Sequence, residues 1–168
     1  GVDYKYHVVC TAKLPSVYIT TESGSMDAVH ADKSYKEAGT IRIYNEKGKT
    51  EYDGALDYIK GRGNSSWEMA KKPYNIKIAK KTNLFGMGKS KKWSLIANYS
   101  DNSHLRNAAV YYAAQQIGLD YTPKFVFCDV YTNGDYQGVY LLITRIEADS
   151  KRVDVANLDD VNEEIAIA

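Results

Sequence analysis

Asn133-Gly134 stands between two alternating runs, Thr122 to Thr132 and Asp135 to Thr144, and no other feature restricts the fold as much. Both central residues of a two-residue type I′ turn need positive φ, which Asn and Gly adopt most readily, so the runs are expected to pair antiparallel. Counting outward from a Thr132–Asp135 pair sets Tyr131 against Tyr136, Cys128 against Val139 and Val126 against Leu141. One face then carries Val126, Cys128, Val130, Val139 and Leu141, and the other Phe125, Phe127, Tyr131, Tyr136 and Tyr140. Two apolar faces imply cover on both sides.

Further strands are expected at Leu14 to Thr20, at Thr40 to Asn45, at Pro73 to Ala79, and at Lys91 to Tyr99, where Trp93, Leu95 and Ala97 share a face. Glu46 to Lys49 reads as a turn that returns Thr50 to Arg62 against Thr40 to Asn45 as a hairpin. The polar stretch Thr21 to Lys36 shows no period. Asp101 can cap a helix from about Asn102 to Ile117, with Leu105, Ala108, Ala109, Tyr112, Ala113 and Ile117 at helical spacing and Gly118 just past its end. The expected fold class is α+β, a mainly antiparallel sheet with one principal helix.

A chain of 168 residues with 44% hydrophobic and 26% charged residues fits one domain over residues 1–168. No apolar run approaches the ~20 residues that cross a bilayer, and Gly1 opens no recognisable signal peptide. The formal charge of +1 is spread unevenly, ending in an acidic tail over residues 156–168. Fifteen Tyr suit strands, interfaces and sugar-stacking surfaces alike. Cys10 and Cys128 have no CxxC spacing; Cys128 reads as a buried thiol, with a Cys10–Cys128 disulfide the rarer outcome. His7, His30 and His104 are too scattered for a metal cluster or a catalytic triad.

Between Lys60 and Lys92 stand ten Lys or Arg residues and one acid, Glu68, so an anionic partner is expected there. A near-neutral chain without a recognition motif makes nucleic acid an unexpected partner. Inside the basic stretch, Gly61-Arg62-Gly63-Asn64-Ser65-Ser66 follows a strand. It reads either as a phosphate-holding loop or as a tight turn into a short helix with Trp67 as core anchor.

The motifs GRGNSSW from Gly61, KKPYNIKI from Lys71, LFGMGKSKKWSLIANYSDNSHLRN from Leu84 and NGDYQGVYLL from Asn133 resemble, in this order, the CotH (spore-coat protein H) kinase family over roughly Leu14 to Val155. The resemblance implies an atypical protein serine kinase that moves phosphate from ATP, with Mg²⁺, to secreted or spore-coat proteins. It implies a fold like a protein-kinase small lobe with insertions, in which Thr144 to Ile146 takes the place of the hinge.

Matched to the family's motifs and to the need for a cationic phosphate cradle, the nucleotide-binding candidates are Arg62, Asn64, Ser65, Ser66, Lys72, Lys77 and Arg106. The catalytic and metal-binding aspartates of the family belong to a C-terminal part beyond Ala168. No catalytic or metal-binding residue is therefore assigned, and the chain is expected to be the N-terminal part of a larger domain, inactive alone. Expected partners are an acidic or serine-rich protein and that C-terminal part, in an extracellular or spore-coat setting. Two departures stand out: Thr144 replaces the family's glutamate, and the expected helix contains no Glu for a lysine–glutamate pair. Two other classes stay open, a non-catalytic secreted module binding carbohydrate or a cell surface, and a structural coat or interaction protein.

Overall fold

The computed structural model describes residues 13–147, 152 and 153, and its seven strands close into a barrel. The elements are β1 (Ser16–Thr21), α1 (Asp27–Ala31), β2 (Glu37–Tyr44), β3 (Thr50–Gly61), β4 (Tyr74–Asn83), β5 (Lys89–Ile96), α2 (Arg106–Gln116), β6 (Phe125–Thr132) and β7 (Asp135–Thr144). Single 3₁₀ turns occupy Ser65–Trp67 and Leu84–Gly86. Around the barrel the order is β1-β2-β3-β4-β5-β7-β6. Every neighbouring pair is antiparallel except β1 and β6, which run parallel from Ser16↔Asp129 to Ile19↔Thr132.

Closure corrects the expected fold class. The chain is mostly β, and it is neither an α+β sheet with a principal helix nor a copy of a kinase small lobe. The decisive strand is β1, which pairs on both edges and so leaves the sheet without a free one. Asp129 N donates to Pro15 O at 2.9 Å and Asn133 N to Ile19 O at 2.8 Å, which locks the seam at both ends. Asn133 Oδ1 also accepts from Thr21 N at 2.9 Å, so the turn residue ties the β6–β7 hairpin to β1.

Side chains fill the barrel. Val17, Ile41, Ile59, Ile76, Trp93 and Leu95 are all fully buried inside it. Trp93, Leu95 and Ala97 do share the inward face.

The β6–β7 hairpin turns at Asn133 (φ 51°) and Gly134 (φ 93°) and pairs Thr132 with Asp135 and Tyr131 with Tyr136, as counted. Beyond that a bulge at Gly138 (φ 93°) shifts the register, so Cys128 faces Tyr140 and Val126 faces Leu142. A slip of one residue exchanges faces along β7. Tyr140 and Leu142 therefore point into the barrel, while Leu141 and Ile143 lie outside with Phe125 and Phe127.

That outer apolar patch is what α2 covers. Ala108 and Tyr111 pack on Ile96, Phe125, Phe127, Leu141 and Ile143. The expected helical stripe faces mostly away: Leu105 is 55% exposed, Tyr112 59% and Ile117 80%. Ala108 and Tyr111, one turn of the helix, make the contact. Gly118 (φ 71°) does stand just past the helix end, where its N–H donates to Gln115 O at 3.2 Å. No helix among the described residues is long and apolar enough to cross a membrane. Cys10, and so any Cys10–Cys128 disulfide, lies outside the described residues, as does the acidic tail over residues 156–168.

Candidate functional site: a basic outer face beside the second helix

Alternation along β3, β4 and β5 sends Ile59, Ile76 and Trp93 inward and the residues between them outward. The outward set forms two rows, Lys60–Asn75–Ser94–Ile143 and Tyr58–Lys77–Lys92. Ser94 Oγ donates to Asn75 Oδ1 at 2.6 Å in the middle of the first row. Two lysines are held by carboxylates, Lys77 by Asp57 at 3.0 Å and Lys92 by Glu147 at 2.7 Å.

Arg62 follows β3 on this face, its N–H donating to Pro73 O at 3.1 Å. Its guanidinium is half-buried and no carboxylate pairs with it among the described residues. Burial lowers its pKa; Tyr111 of α2 opposes that and Arg145 of the β7 end adds to it, so both lie within electrostatic reach. Arg145 likewise has no acidic partner among the described residues. Two arginines within electrostatic reach of each other, neither paired with a carboxylate among the described residues, are suited to an anion.

Arg145 also lines an open cavity of about 250 Å³ with Met87, Tyr121, Lys124, Thr144 and Ile146. Thr144 Oγ1 accepts from Lys124 N at 3.0 Å and Thr144 N donates to Lys124 O at 2.9 Å. Thr144 thus closes the start of β6 onto the end of β7.

The other candidates scatter from Arg62. Lys72 Nζ donates to Trp67 O at 2.6 Å and sits 5.3 Å from the Trp67 ring centre. Arg106 opens α2 with a side chain 81% exposed, its Nε 3.7 Å from Asp101. Asn64, Ser65 and Ser66 are exposed on the loop after Arg62, and the 3₁₀ turn they begin is closed by Trp67 N to Asn64 O at 2.9 Å. Lys77 alone shares the outer face with Arg62. Arg145, Tyr111, Asn75 and Ser94 were not singled out from the sequence; strand alternation carried Asn75 and Ser94 outward, but nothing local marked Arg145.

The loop motif is built around packing. Gly61 lies under the Trp67 ring, and Gly63 has φ 83° with Ser66 Oγ where a Cβ would stand. Trp67 is buried in the barrel core, so the tight turn with a tryptophan anchor is what forms.

The Tyr-Ser-Asp motif has a similar local cause. Asp101 Oδ2 accepts from Arg106 N at 2.8 Å, and Oδ1 from Ser103 N and Oγ at 3.1 and 2.7 Å. These bonds, the one to Arg106 N foremost, hold its carboxyl below the usual range. Asn98 Nδ2 donates to His104 O, and Asn107 Nδ2 to Asn98 Oδ1. The helix thus begins at Arg106, later than expected, with Asp101 still capping its first N–H.

No curated protein matches the chain. A family model described as CotH kinase protein matches residues 59–165, more than half of the sequence, from the last three residues of β3 through the basic face, the loop, α2 and the β6–β7 hairpin. The chain belongs to the CotH kinase family.

Proposed function

We propose that this chain is the nucleotide-binding portion of a CotH-like protein serine kinase, with ATP phosphates seated on the outer face at Arg62 and Arg145. What supports the reading is that two arginines, neither with a carboxylate partner among the described residues, lie within electrostatic reach of each other on a face already crossed by Lys60, Lys77 and Lys92. A triphosphate would neutralise both guanidinium groups through bidentate bonds. The cavity beside Arg145 is smaller than the ~300–1,000 Å³ of sites that enclose a whole drug-sized ligand, so it would take one ring and leave the phosphates outside.

Mg²⁺ does not fit the described residues. Asp57 and Glu147 are engaged by lysines, Asp101 by the loop before α2, and no group of three or more metal-ligating side chains forms among the described residues. No transfer step is drawn through the metal, and the reading stops at binding, with acidic or serine-rich secreted or spore-coat proteins as recipients once the catalytic part is supplied.

Thermal unfolding with Mg-ATP tests it. Nucleotide at 100 times Kd adds about 2.7 kcal/mol, which raises Tm of a domain of this size by roughly 5–10 °C. No shift at millimolar Mg-ATP, with no phosphoryl transfer after addition of the C-terminal part, rejects the reading.

A second reading, a carbohydrate-binding module, is favoured by one feature on other strands. Tyr44, Tyr18, Tyr131 and Tyr136 form a row of rings across β2, β1, β6 and β7, with centres 6.0, 4.7 and 5.1 Å apart. A glycan array without hits removes it.

A further inference from the structure

The family match begins at Ile59, yet the loop that carries Arg62 is held by residues that precede it. Lys33, between α1 and β2, donates from Nζ to Gly63 O at 2.9 Å and to Asn64 Oδ1 at 3.3 Å. Its stem crosses Gly61, where an added Cβ would stand 2.7 Å from Lys33 Cγ. At the far end of the same loop, His30 of α1 meets the Tyr74 hydroxyl at 2.8 Å through Nε2. One short segment thus grips both stems of the Arg62 loop, and Arg62 N–H to Pro73 O joins the stems between the grips.

We propose that Lys33 is a positioning residue for the nucleotide site. The role rests on the nucleotide-binding reading above. The ammonium fixes the Gly63 peptide, and so the path of the chain next to Arg62. Lys33 need not touch the nucleotide to do so. The consequence is that the site's unit starts before the family match, because β1, α1 and β2 supply both the barrel's closure and this clamp.

Lys33→Met keeps the stem over Gly61 and removes only the ammonium; Lys33→Arg restores a donor. Two measurements on the whole chain decide the matter, the affinity for Mg-ATP and amide hydrogen exchange at Arg62, Trp67 and Glu68, whose N–H groups bond within the loop. Loss of a charged hydrogen bond predicts affinity about tenfold weaker in Lys33→Met, with exchange at those amides several-fold faster and Lys33→Arg close to wild type. Weaker binding with unchanged loop exchange means that the lysine acts by direct charge and overturns positioning. Unchanged affinity in Lys33→Met, with wild type binding, overturns the role of Lys33 alone. Wild-type protein that binds no Mg-ATP overturns the nucleotide reading itself, so the two failures are distinguishable.

Discussion

The Trp67 ring lies on the α-carbon of Gly61, so that a Cβ at position 61 would stand 2.7 Å from the indole edge. The first glycine of the Gly-Arg-Gly motif is therefore demanded by the tryptophan that closes the turn. Gly61→Ala forces a rigid ring to move and costs roughly 1–3 kcal/mol, the usual range for an overpacked core. Chemical denaturation is expected to show that loss with an unchanged slope; stability equal to wild type would mean the indole is free to shift.

Arg62 and Arg106 stand in different motifs of the family and in unlike surroundings. Arg62 is half-buried and within electrostatic reach of Arg145, whereas Arg106 points into solvent. Arg62→Ala and Arg145→Ala should each abolish most of the Mg-ATP shift in Tm, and Arg106→Ala should leave it within about twofold of wild-type affinity, as exposed charges contribute little. Equal losses at all three would disperse the site.

The bulge at Gly138 sets which side chains of β7 enter the barrel. A φ of 93° costs an L side chain roughly 1–2 kcal/mol, so Gly138→Ala should lower Tm by about 2–8 °C. The Lys71 ammonium, 3.4 Å from the added Cβ, is at ordinary contact distance and adds little.

Burial pushes the Cys128 thiol up to about 12, so thiolate is scarce at mildly alkaline pH. Alkylation followed by peptide mass spectrometry should find Cys128 unlabelled in native protein and labelled in denaturant. Rapid native labelling would contradict its place inside the barrel.

Asp101 links stability to pH. Hydrogen bonds from Arg106 N and Ser103 hold its folded pKa below the ordinary 3.8, so its contribution is present above 3.8 and is lost as pH falls through the lowered value. Asp101→Asn should lower Tm at neutral pH, and the gap from wild type should narrow in acid below 3.8. A gap constant with pH would assign the loss to geometry instead of charge.

Much of the chain's local order was legible. The turn at Asn133-Gly134 needs two positive φ values, Gly118 needs one, and Trp93, Leu95 and Ala97 alternate with polar neighbours; each is a property of a few consecutive residues. The helix stripe misled because helical spacing says which residues align, not which side has a partner; only Ala108 of that stripe is buried. The candidate site divided in the same way. Arg62 and Lys77 lie on the outer face, while Lys72 turns back to Trp67 and Arg106 stays in solvent, since each cation follows the nearest acceptor or the direction set by its own element.

By itself the sequence determined the strands, the tight turns, the capping aspartate and the family, all written in short-range pattern. Tertiary structure alone decided that β1 joins β6 in parallel, that one bulge exchanges the faces of β7, and that Arg145 comes within electrostatic reach of Arg62. Each brings together residues far apart in the chain or turns on a single unpaired residue, and neither leaves a periodic trace in the sequence.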